Sequence, residues 1–396
     1  MGFRRSTRLF VVGGLTTATL FLSSCIKDAP QDTFSPDGPS TRRVYSLAKP
    51  VFIIAGVVGI GVYAVIFLCI VKFRRRDDLH VPVQVHGNTK LELLWGAIPA
   101  VLLAVVGVFS IGEIFKQAEE PKDAINITVI GHQWWWEYHY APTGTAKLEP
   151  KLVTIDDPAD LDAAELAQRA PRKLANVIEE GRPVIVTANE LHVPAGRSVR
   201  LLITSTNVMH NYWVPKLAGK LYAIPGKVNR LTLDSDPEDA GKTYYGQCAE
   251  FCGTSHANMR FKVKVDSPQD YEAWLSAQTS AAAEPTTESA KAGKVLFEGT
   301  GACSTCHWLD SSKTNEFEIE KDAVTGEDVI VRKIGPNLAH IGSRADFAGA
   351  TAKLNTTNLK AWLRNPEAFK PGSKMVVRKF SEDEVNNLVA YVESLK

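Results

Sequence analysis

Two long apolar segments constrain the fold of this chain more than any other feature. Residues 51–71 contain no charged side chain, and a second charge-free segment covers residues 93–111. About 20 apolar residues are enough to cross the hydrocarbon core of a bilayer as a helix. The basic run at residues 72–76 marks the cytoplasmic side. The sequence therefore predicts a helical hairpin over residues 50–116, with all later residues outside the membrane.

The chain begins with a segment typical of an exported protein. Residues 1–24 combine a basic start with an apolar stretch, as signal peptides do. Their end resembles a bacterial lipobox, which predicts cleavage before Cys25 and a lipid on its thiol. Loss of three arginines would then change the formal net charge from +1 to about −2. The alternative is an uncleaved first helix. Residues 25–49, rich in proline and polar side chains, are expected to form a tether.

Beyond the hairpin, apolar residues alternate with a period of two, which indicates strands. The first such run ends in three adjacent tryptophans, of which Trp134 is the first. Short runs separated by glycine and proline turns predict a β-sandwich over residues 117–266. Residues 146–182, rich in alanine, charge and proline, interrupt the pattern and are expected to form a surface insertion.

Twelve residues near the end of this region concentrate soft metal ligands. Cys248, Cys252, His256 and Met259 lie in one loop-like stretch, and a further imidazole, His210, lies upstream. Thiolates, a thioether and imidazoles together suit copper. A disulfide, a zinc site and simple burial of two small side chains are the alternatives. Zinc has no use for Met259 and a disulfide has none for His256, so the pattern favours copper.

A separate C-terminal unit carries a second motif. The low-complexity segment 267–292 predicts a flexible linker, and residues 293–396 a small all-α domain. Cys303, Cys306 and His307 form C-x-x-C-H, the attachment signature of haem c. Half of a zinc site or a redox-active thiol pair would give the same motif, but the sequence has no second C-x-x-C.

These motifs resemble those of a known family. The pattern C-x-E-x-C-x3-H-x2-M at residues 248–259 resembles the binuclear CuA motif of cytochrome c oxidase subunit II. The order of two spans, copper domain and haem domain resembles the caa(3) type of that subunit. Copper chaperones of the Sco kind share C-x3-C, but normally have proline where this chain has Gly253. The resemblance implies a multidomain chain with a cupredoxin-like β-sandwich and a class I cytochrome c domain.

The resemblance also implies the ligands of both centres. Cys248 and Cys252 would bridge two coppers, His210 and His256 would cap them, and Met259 and the Glu250 carbonyl would be weak axial ligands. The side chain of Glu250 would also help to hold a magnesium or manganese ion shared with subunit I. Met375 would be the sixth haem ligand, and a thioether there raises the haem potential. An added hairpin is expected at residues 316–332.

Further roles follow from the resemblance. Trp134 would be the exposed ring through which electrons reach copper, although large aromatics in strands usually serve only the core. Glu92, at the start of the second span, would stand at the mouth of the K proton channel of subunit I. Intramembrane carboxylates are commonly functional, and the alternative is a solvated charge at a helix end. A basic face for docking is expected from Lys370, Lys374, Arg378 and Lys379.

The implied function is delivery of electrons to a proton-pumping haem-copper oxidase. Haem c would receive an electron, CuA would take it, and subunit I would reduce dioxygen, so no catalytic residue is expected in this chain. The expected partners are subunits I and III, membrane lipid, and an upstream respiratory complex or cytochrome c, with no nucleic acid. Both domains would lie on the outer face of the bacterial inner membrane.

Two alternative functions share parts of this pattern. One is the CuA subunit of a nitric oxide reductase, and Glu92 disfavours it. The other is a copper-delivery protein, which would release copper readily. Tyr222 stands where family relatives often have an acidic residue that docks a soluble cytochrome, which favours a tethered donor.

Overall fold

The computed structural model describes most of the chain. The described residues are 29–74, 83–84, 86–140, 149–153, 173–177, 185–313, 318–321, 328–331 and 333–396. The predicted signal peptide, the lipidation of Cys25 and most of the predicted insertion, 146–182, lie outside these residues.

Two long helices form the predicted membrane hairpin. Helix α1 extends over Pro39–Lys72 and helix α2 over Thr89–Ala118. Both are long and apolar enough to cross a membrane, which confirms the two predicted spans. Arg43 of α1 pairs with Glu113 of α2 at 3.1 Å between Nε and Oε1, outside the charge-free part of each helix.

The predicted tether is wrong over its second half, because residues 39–49 are already helical. Pro39 occupies the first turn, where its missing N–H leaves no bond unmade. The residues around this start bind the soluble part of the chain. The Gly38 amide donates to the Lys216 carbonyl at 2.9 Å, and Arg42 pairs with Asp236 at 2.7 Å. The start of α1 is therefore fixed to the β-sandwich.

The strands from residue 125 to residue 266 form two mixed sheets. In chain order they are β1 (Ile125–His132), β2 (Trp135–Tyr140), β3 (Glu149–Val153), β4 (Lys173–Val177), β5 (Ile185–Ala188), β6 (Glu190–Pro194), β7 (Val199–Ser205), β8 (His210–Trp213), β9 (Lys220–Ala223), β10 (Asn229–Leu233), β11 (Thr243–Cys248) and β12 (Arg260–Asp266). One sheet has the order β10-β7-β1-β2-β5 and the other the order β6-β12-β11-β8-β9. Strands β3 and β4 pair with each other as a separate hairpin.

Aromatic side chains fill the space between the two sheets. Trp136 meets Tyr212 and Phe261 edge to face, with ring centroids 5.1 and 5.7 Å away. All three rings are fully buried. Gly246 of β11 lies directly against the Phe261 ring, where an added Cβ would overlap it. This packing confirms the predicted β-sandwich and rigidly places the strand ends that carry the metal-ligand pattern.

The predicted flexible linker is wrong over its first half. Helix α3 extends over Pro268–Thr279, and the Ser267 side chain caps its first turn. Tyr271 and Leu275 of α3 are buried in the core of the β-sandwich. Trp274 also packs against this core. Composition alone did not indicate the helix, because the segment around residue 281 that follows it is of low complexity.

The C-terminal domain, residues 288–396, is mainly helical. Its helices are α4 (Glu288–Glu298), α5 (Thr356–Arg364), α6 (Pro366–Phe369) and α7 (Glu382–Ser394), and its short strands are β13 (Glu318–Lys321), β14 (Asp328–Val331), β15 (Asp346–Phe347) and β16 (Ala352–Lys353). Helices α4 and α7 cross closely at Gly293, where an added Cβ would lie 2.0 Å from the Asn387 carbonyl oxygen. Ser381 and Glu384 form the capping box of α7. The antiparallel pair β13 and β14 confirms the predicted hairpin, whose turn lies outside the described residues.

Candidate functional site

The loop between β11 and β12 brings the sulfur ligands together. Cys248 ends β11, and its amide donates to the Met259 carbonyl at 2.9 Å, which closes the loop at its base. The Cys248 Sγ lies 3.7 Å from the Cys252 Sγ and 3.2 Å from the Glu250 carbonyl oxygen. The Cys252 Sγ lies 3.9 Å from the Met259 Sδ. Three sulfurs and one carbonyl oxygen therefore converge on one buried point.

Two imidazoles approach the thiols from opposite ends of the cluster. His210, the first residue of β8, places Nδ1 3.8 Å from the Cys248 Sγ. His256 places Nδ1 3.5 Å from the Cys252 Sγ. Gly131 makes room for the first ring, since an added Cβ there would lie 2.7 Å from His210 Cδ2. Burial lowers the pKa of His210, which favours the neutral, metal-binding form.

The two thiols have opposite electrostatic environments. The pKa of Cys248 is lowered to about 3, first because Cys252 donates a hydrogen bond to its sulfur and then because His210 does. The pKa of Cys252 is raised, because its proton serves that bond and because the group is buried. One thiolate is thus already favoured without a metal, and a bound cation would favour the second.

This donor set fits two copper ions. A disulfide would need sulfurs about 2.05 Å apart, whereas these lie 3.7 Å apart. His210, Cys248 and Cys252 form a buried group of ligand atoms within 4.8 Å of one another. His256 and Met259 complete the set of soft donors. Each donor nitrogen or sulfur lies within 4 Å of a cysteine sulfur in the cluster. Sulfur-rich sets of this kind select copper over magnesium or calcium.

The C-terminal domain encloses a mainly apolar cavity of about 220 Å³. Cys303, Cys306, His307 and Met375 all line it. The His307 Nδ1 bonds the Pro336 carbonyl at 2.8 Å, which leaves Nε2 as the free ligand atom of the ring. Burial lowers the pKa of His307, so its neutral form is favoured. Gly335 gives the imidazole room, since an added Cβ would lie 2.3 Å from Cε1.

Polar atoms at the edge of this cavity also fit a haem. The Arg344 Nε is buried without a partner among the described residues, although Nη2 donates to the Asn337 carbonyl at 2.8 Å. Such a guanidinium facing the cavity suits the carboxylates of a haem. The Trp362 Nε1 donates to the Met375 Sδ at 2.9 Å, which holds that thioether at the cavity. The cavity, its two thiols, one imidazole and one thioether thus match a c-type haem.

The structure corrects the predicted exposure of Trp134. Only 9% of this residue is exposed, because the C-terminal domain covers it. Its indole lies between two glycines, Gly253 of the metal loop and Gly372 beside Met375, and an added Cβ on either would lie 3.0 Å from the ring. The Trp134 Nε1 donates to the Cys252 carbonyl at 2.9 Å. Trp134 therefore touches the metal loop on one side and the haem-domain loop on the other.

The two predicted acidic residues differ in their placement. Glu92 is exposed in the first turn of α2, where a carboxylate also suits the helix dipole. Glu250 is half-buried in the metal loop, next to Phe251, which is 76% exposed. Tyr222, on β9, is partly exposed.

The fold and the two sites define a membrane-anchored electron-transfer subunit with a sulfur-rich copper centre and a c-type haem pocket. Family models agree in each part: the periplasmic domain of cytochrome c oxidase subunit II matches residues 125–266, its transmembrane domain residues 31–112, and cytochrome c residues 290–396. The chain belongs to the cytochrome c oxidase subunit II family, and its domain order is that of the caa(3) type.

Relatives match over almost the whole chain. Cytochrome c oxidase subunit 2 of Alkalihalophilus pseudofirmus is 30% identical over 390 residues, which is 96% of each chain. The protein of the same name from Bacillus subtilis is 29% identical over 398 residues, again 96% of each chain. The chain is thus the electron-accepting subunit of a haem-copper oxidase, with a copper site and a haem c.

Sequence reasoning missed the burial of one lysine and the place of one arginine at these sites. Lys370 is predicted on a basic surface face, but only 5% of it is exposed. Arg344 lines the haem cavity and belongs to no sequence motif. Trp362 also lines the cavity, and it begins the segment 362–375 that resembles a class I cytochrome c domain and ends at Met375.

Proposed function

We propose that electrons pass within this chain from a haem held by Cys303, Cys306, His307 and Met375, across Trp134, to two coppers held by the β11–β12 loop. The proposed copper ligands are His210, Cys248, Cys252, His256, Met259 and the Glu250 carbonyl. When bound, both groups supply one-electron chemistry, and the protein groups hold them so that little has to move. From the coppers, electrons would go on to subunit I, where dioxygen is reduced.

The observation that supports this path most strongly is the placement of the Trp134 indole. It packs on Gly372, three residues from Met375, and donates to the carbonyl of Cys252 at 2.9 Å. One side chain therefore spans the gap between the two ligand sets. The haem cavity itself is lined by Trp134 and Gln133, so the two domains share its wall.

The finer partners and location are proposed as well. Exposed apolar side chains surround the copper loop at Val208, Met209 and Phe251, which suits a surface covered by subunit I. We further propose subunit III and a respiratory complex or cytochrome c as partners. The location would be the bacterial inner membrane, with both domains on its outer face and a lipid on Cys25.

Two acidic side chains receive proposed roles at the contact with subunit I. We propose that the Glu250 carboxylate shares a magnesium or manganese ion with that subunit, and its half-burial beside the exposed Phe251 supports this role. Glu92 is exposed in the first turn of α2, where it would offer protons to the channel mouth.

The experiment is flash-initiated electron transfer in the intact oxidase carrying Trp134→Leu. We expect haem-to-copper transfer to slow by roughly tenfold or more, since the ring between the two sites is gone. Trp134→Phe keeps a ring but not the Nε1–H bond to Cys252, and should lie between leucine and wild type. Trp213→Leu, at a half-buried tryptophan on β8, controls for loss of an indole. An unchanged rate in Trp134→Leu, with both centres intact, would reject the path.

A further inference from the structure

A buried lysine joins the two soluble domains. Lys370 follows helix α6 and is only 5% exposed. Its Nζ donates to the Trp134 carbonyl of the β-sandwich at 2.6 Å and to the Ala348 carbonyl of its own domain at 2.9 Å. Both acceptors are main-chain carbonyls rather than carboxylates. Lysine is almost never buried without such compensation, because removing the charge from water is costly.

The loop beside this lysine is shaped around the contact. Ala348, Gly349 and Ala350 have φ values of 55°, 73° and 52°, all in the left-handed region. An alanine adopts this backbone conformation only at a cost in free energy, because its Cβ lies too close to a neighbouring carbonyl oxygen. The Gly349 carbonyl accepts the Arg260 amide at 3.0 Å, directly after the copper ligand Met259. An added Cβ on Gly349 would lie 2.5 Å from the Lys370 Nζ. The haem domain therefore contacts the β-sandwich in two adjacent places: this loop binds the Arg260 amide at the end of the metal loop, and the Lys370 ammonium group binds the backbone of Trp134.

The same ammonium group lies between the two redox sites. Lys370 lines the haem cavity, and its Nζ holds the backbone of Trp134, whose side chain reaches Cys252. Burial lowers the pKa of Lys370 to about 7, while the sulfur of Cys252 acts in the opposite direction. In its protonated form, which predominates below that pH, the charge of Lys370 is poorly screened by water and acts on haem and copper together.

We propose that Lys370 is a positioning residue for electron transfer: it locks the haem domain onto the backbone of Trp134 and raises the reduction potentials of both centres. The positive charge favours the reduced, more electron-rich state of each centre. This proposal rests on the proposed function, since it concerns the same electron path. It assigns to the bond between Lys370 and the Trp134 carbonyl, two residues 236 positions apart, the placement of Trp134 against the haem domain.

The test uses the intact oxidase with Lys370→Met, which keeps the side-chain length and removes the charge. We expect haem-to-copper transfer to slow by roughly tenfold or more, and the midpoint potentials of both centres to fall in spectroelectrochemical titrations. Lys370→Arg, which keeps charge and donors, should recover part of both effects. Lys353→Met removes the same charge from an exposed lysine of the same domain, and its rate should stay within about twofold of wild type.

Each outcome decides the proposal. An unchanged rate and unchanged potentials in Lys370→Met would overturn it. An equal effect of Lys353→Met would also overturn it, because the net charge of the domain would then explain both variants. If Lys370→Met fails to assemble, Lys370→Gln keeps an N–H donor without the charge and is judged by the same two readouts. If wild type itself shows no haem-to-copper transfer, the proposed function fails, and the potentials alone still decide the role of Lys370.

Discussion

The copper site and the haem site of this chain differ in how closely their ligand atoms lie to one another. In the β-sandwich the ligand sulfurs already lie within 4 Å of a neighbouring donor. In the C-terminal domain the ligands His307 and Met375 surround a cavity of about 220 Å³. Aromatic rings fill the core of the sandwich, whereas the buried side chains of the haem domain pack around the cavity that the haem ligands line.

This difference shows how each fold uses its cofactor. A metal loop closed by backbone bonds needs a cation to balance charge but not to fill space. A small helical domain built around a cavity needs the haem as part of its hydrophobic core. The copper domain should therefore tolerate loss of metal, and the haem domain should not tolerate loss of haem.

The largest expected effect is that of Cys303→Ala with Cys306→Ala, which prevents covalent attachment of haem. Without haem, the apolar side chains that line the cavity lose their packing partner and are left exposed to water, which should destabilise a small domain of marginal stability. Hydrogen exchange should show α4 and α7 losing protection. Removal of copper by a chelator should leave the strands of the sandwich protected. Equal loss of protection in both experiments would contradict the comparison.

The next effect separates bridging ligands from axial ligands within the copper site. Cys252→Ser removes a sulfur that touches Cys248, His256 and Met259. Copper affinity should fall by more than about 100-fold, because even outer partners of a metal ligand contribute 10–100-fold. Met259→Leu should keep copper and only change its potential. Copper content and electron paramagnetic resonance measure both, and equal copper loss in the two variants would reject the distinction.

A smaller effect is expected at the haem, where attachment and axial ligation are separate. Met375→Ala should leave the haem covalently attached, because Cys303, Cys306 and His307 are untouched. The sixth position should open and bind carbon monoxide in the reduced protein. Met375→His, which offers a new ligand, is the matched control and should stay closed. An unaltered low-spin, methionine-ligated spectrum in Met375→Ala would show that another residue is the ligand.

The smallest effect concerns the hydrogen bond from Trp362 Nε1 to the Met375 Sδ, 2.9 Å long. Trp362→Phe removes the donor and keeps a ring in the cavity wall. A donor on the sulfur withdraws electron density from it, so its loss should lower the haem potential while methionine ligation is retained. A redox titration measures this shift, which should be smaller than that of Met375→Ala. A higher potential would contradict the role of the bond.

The sequence predicted the features that rest on contiguous motifs, and it did not predict the contacts between distant parts of the chain. The metal loop, C-x-x-C-H and the two spans are contiguous patterns, and the structure gathers each as predicted. The burial of Trp134 could not be predicted, because it depends on Lys370 and Gly372, more than 200 positions away. The same reason applies to α3, whose helix is stabilised by the few side chains that enter the sandwich core. A local sequence pattern cannot predict a contact between two domains.

The central claim is that haem c and the copper centre exchange electrons inside one chain. The most direct measurement is flash reduction of haem c in the intact oxidase, followed at haem and copper absorption bands together. Haem oxidation and copper reduction should share one rate that does not change with protein concentration. A rate proportional to concentration, or copper reduction that precedes haem reduction, would contradict the account.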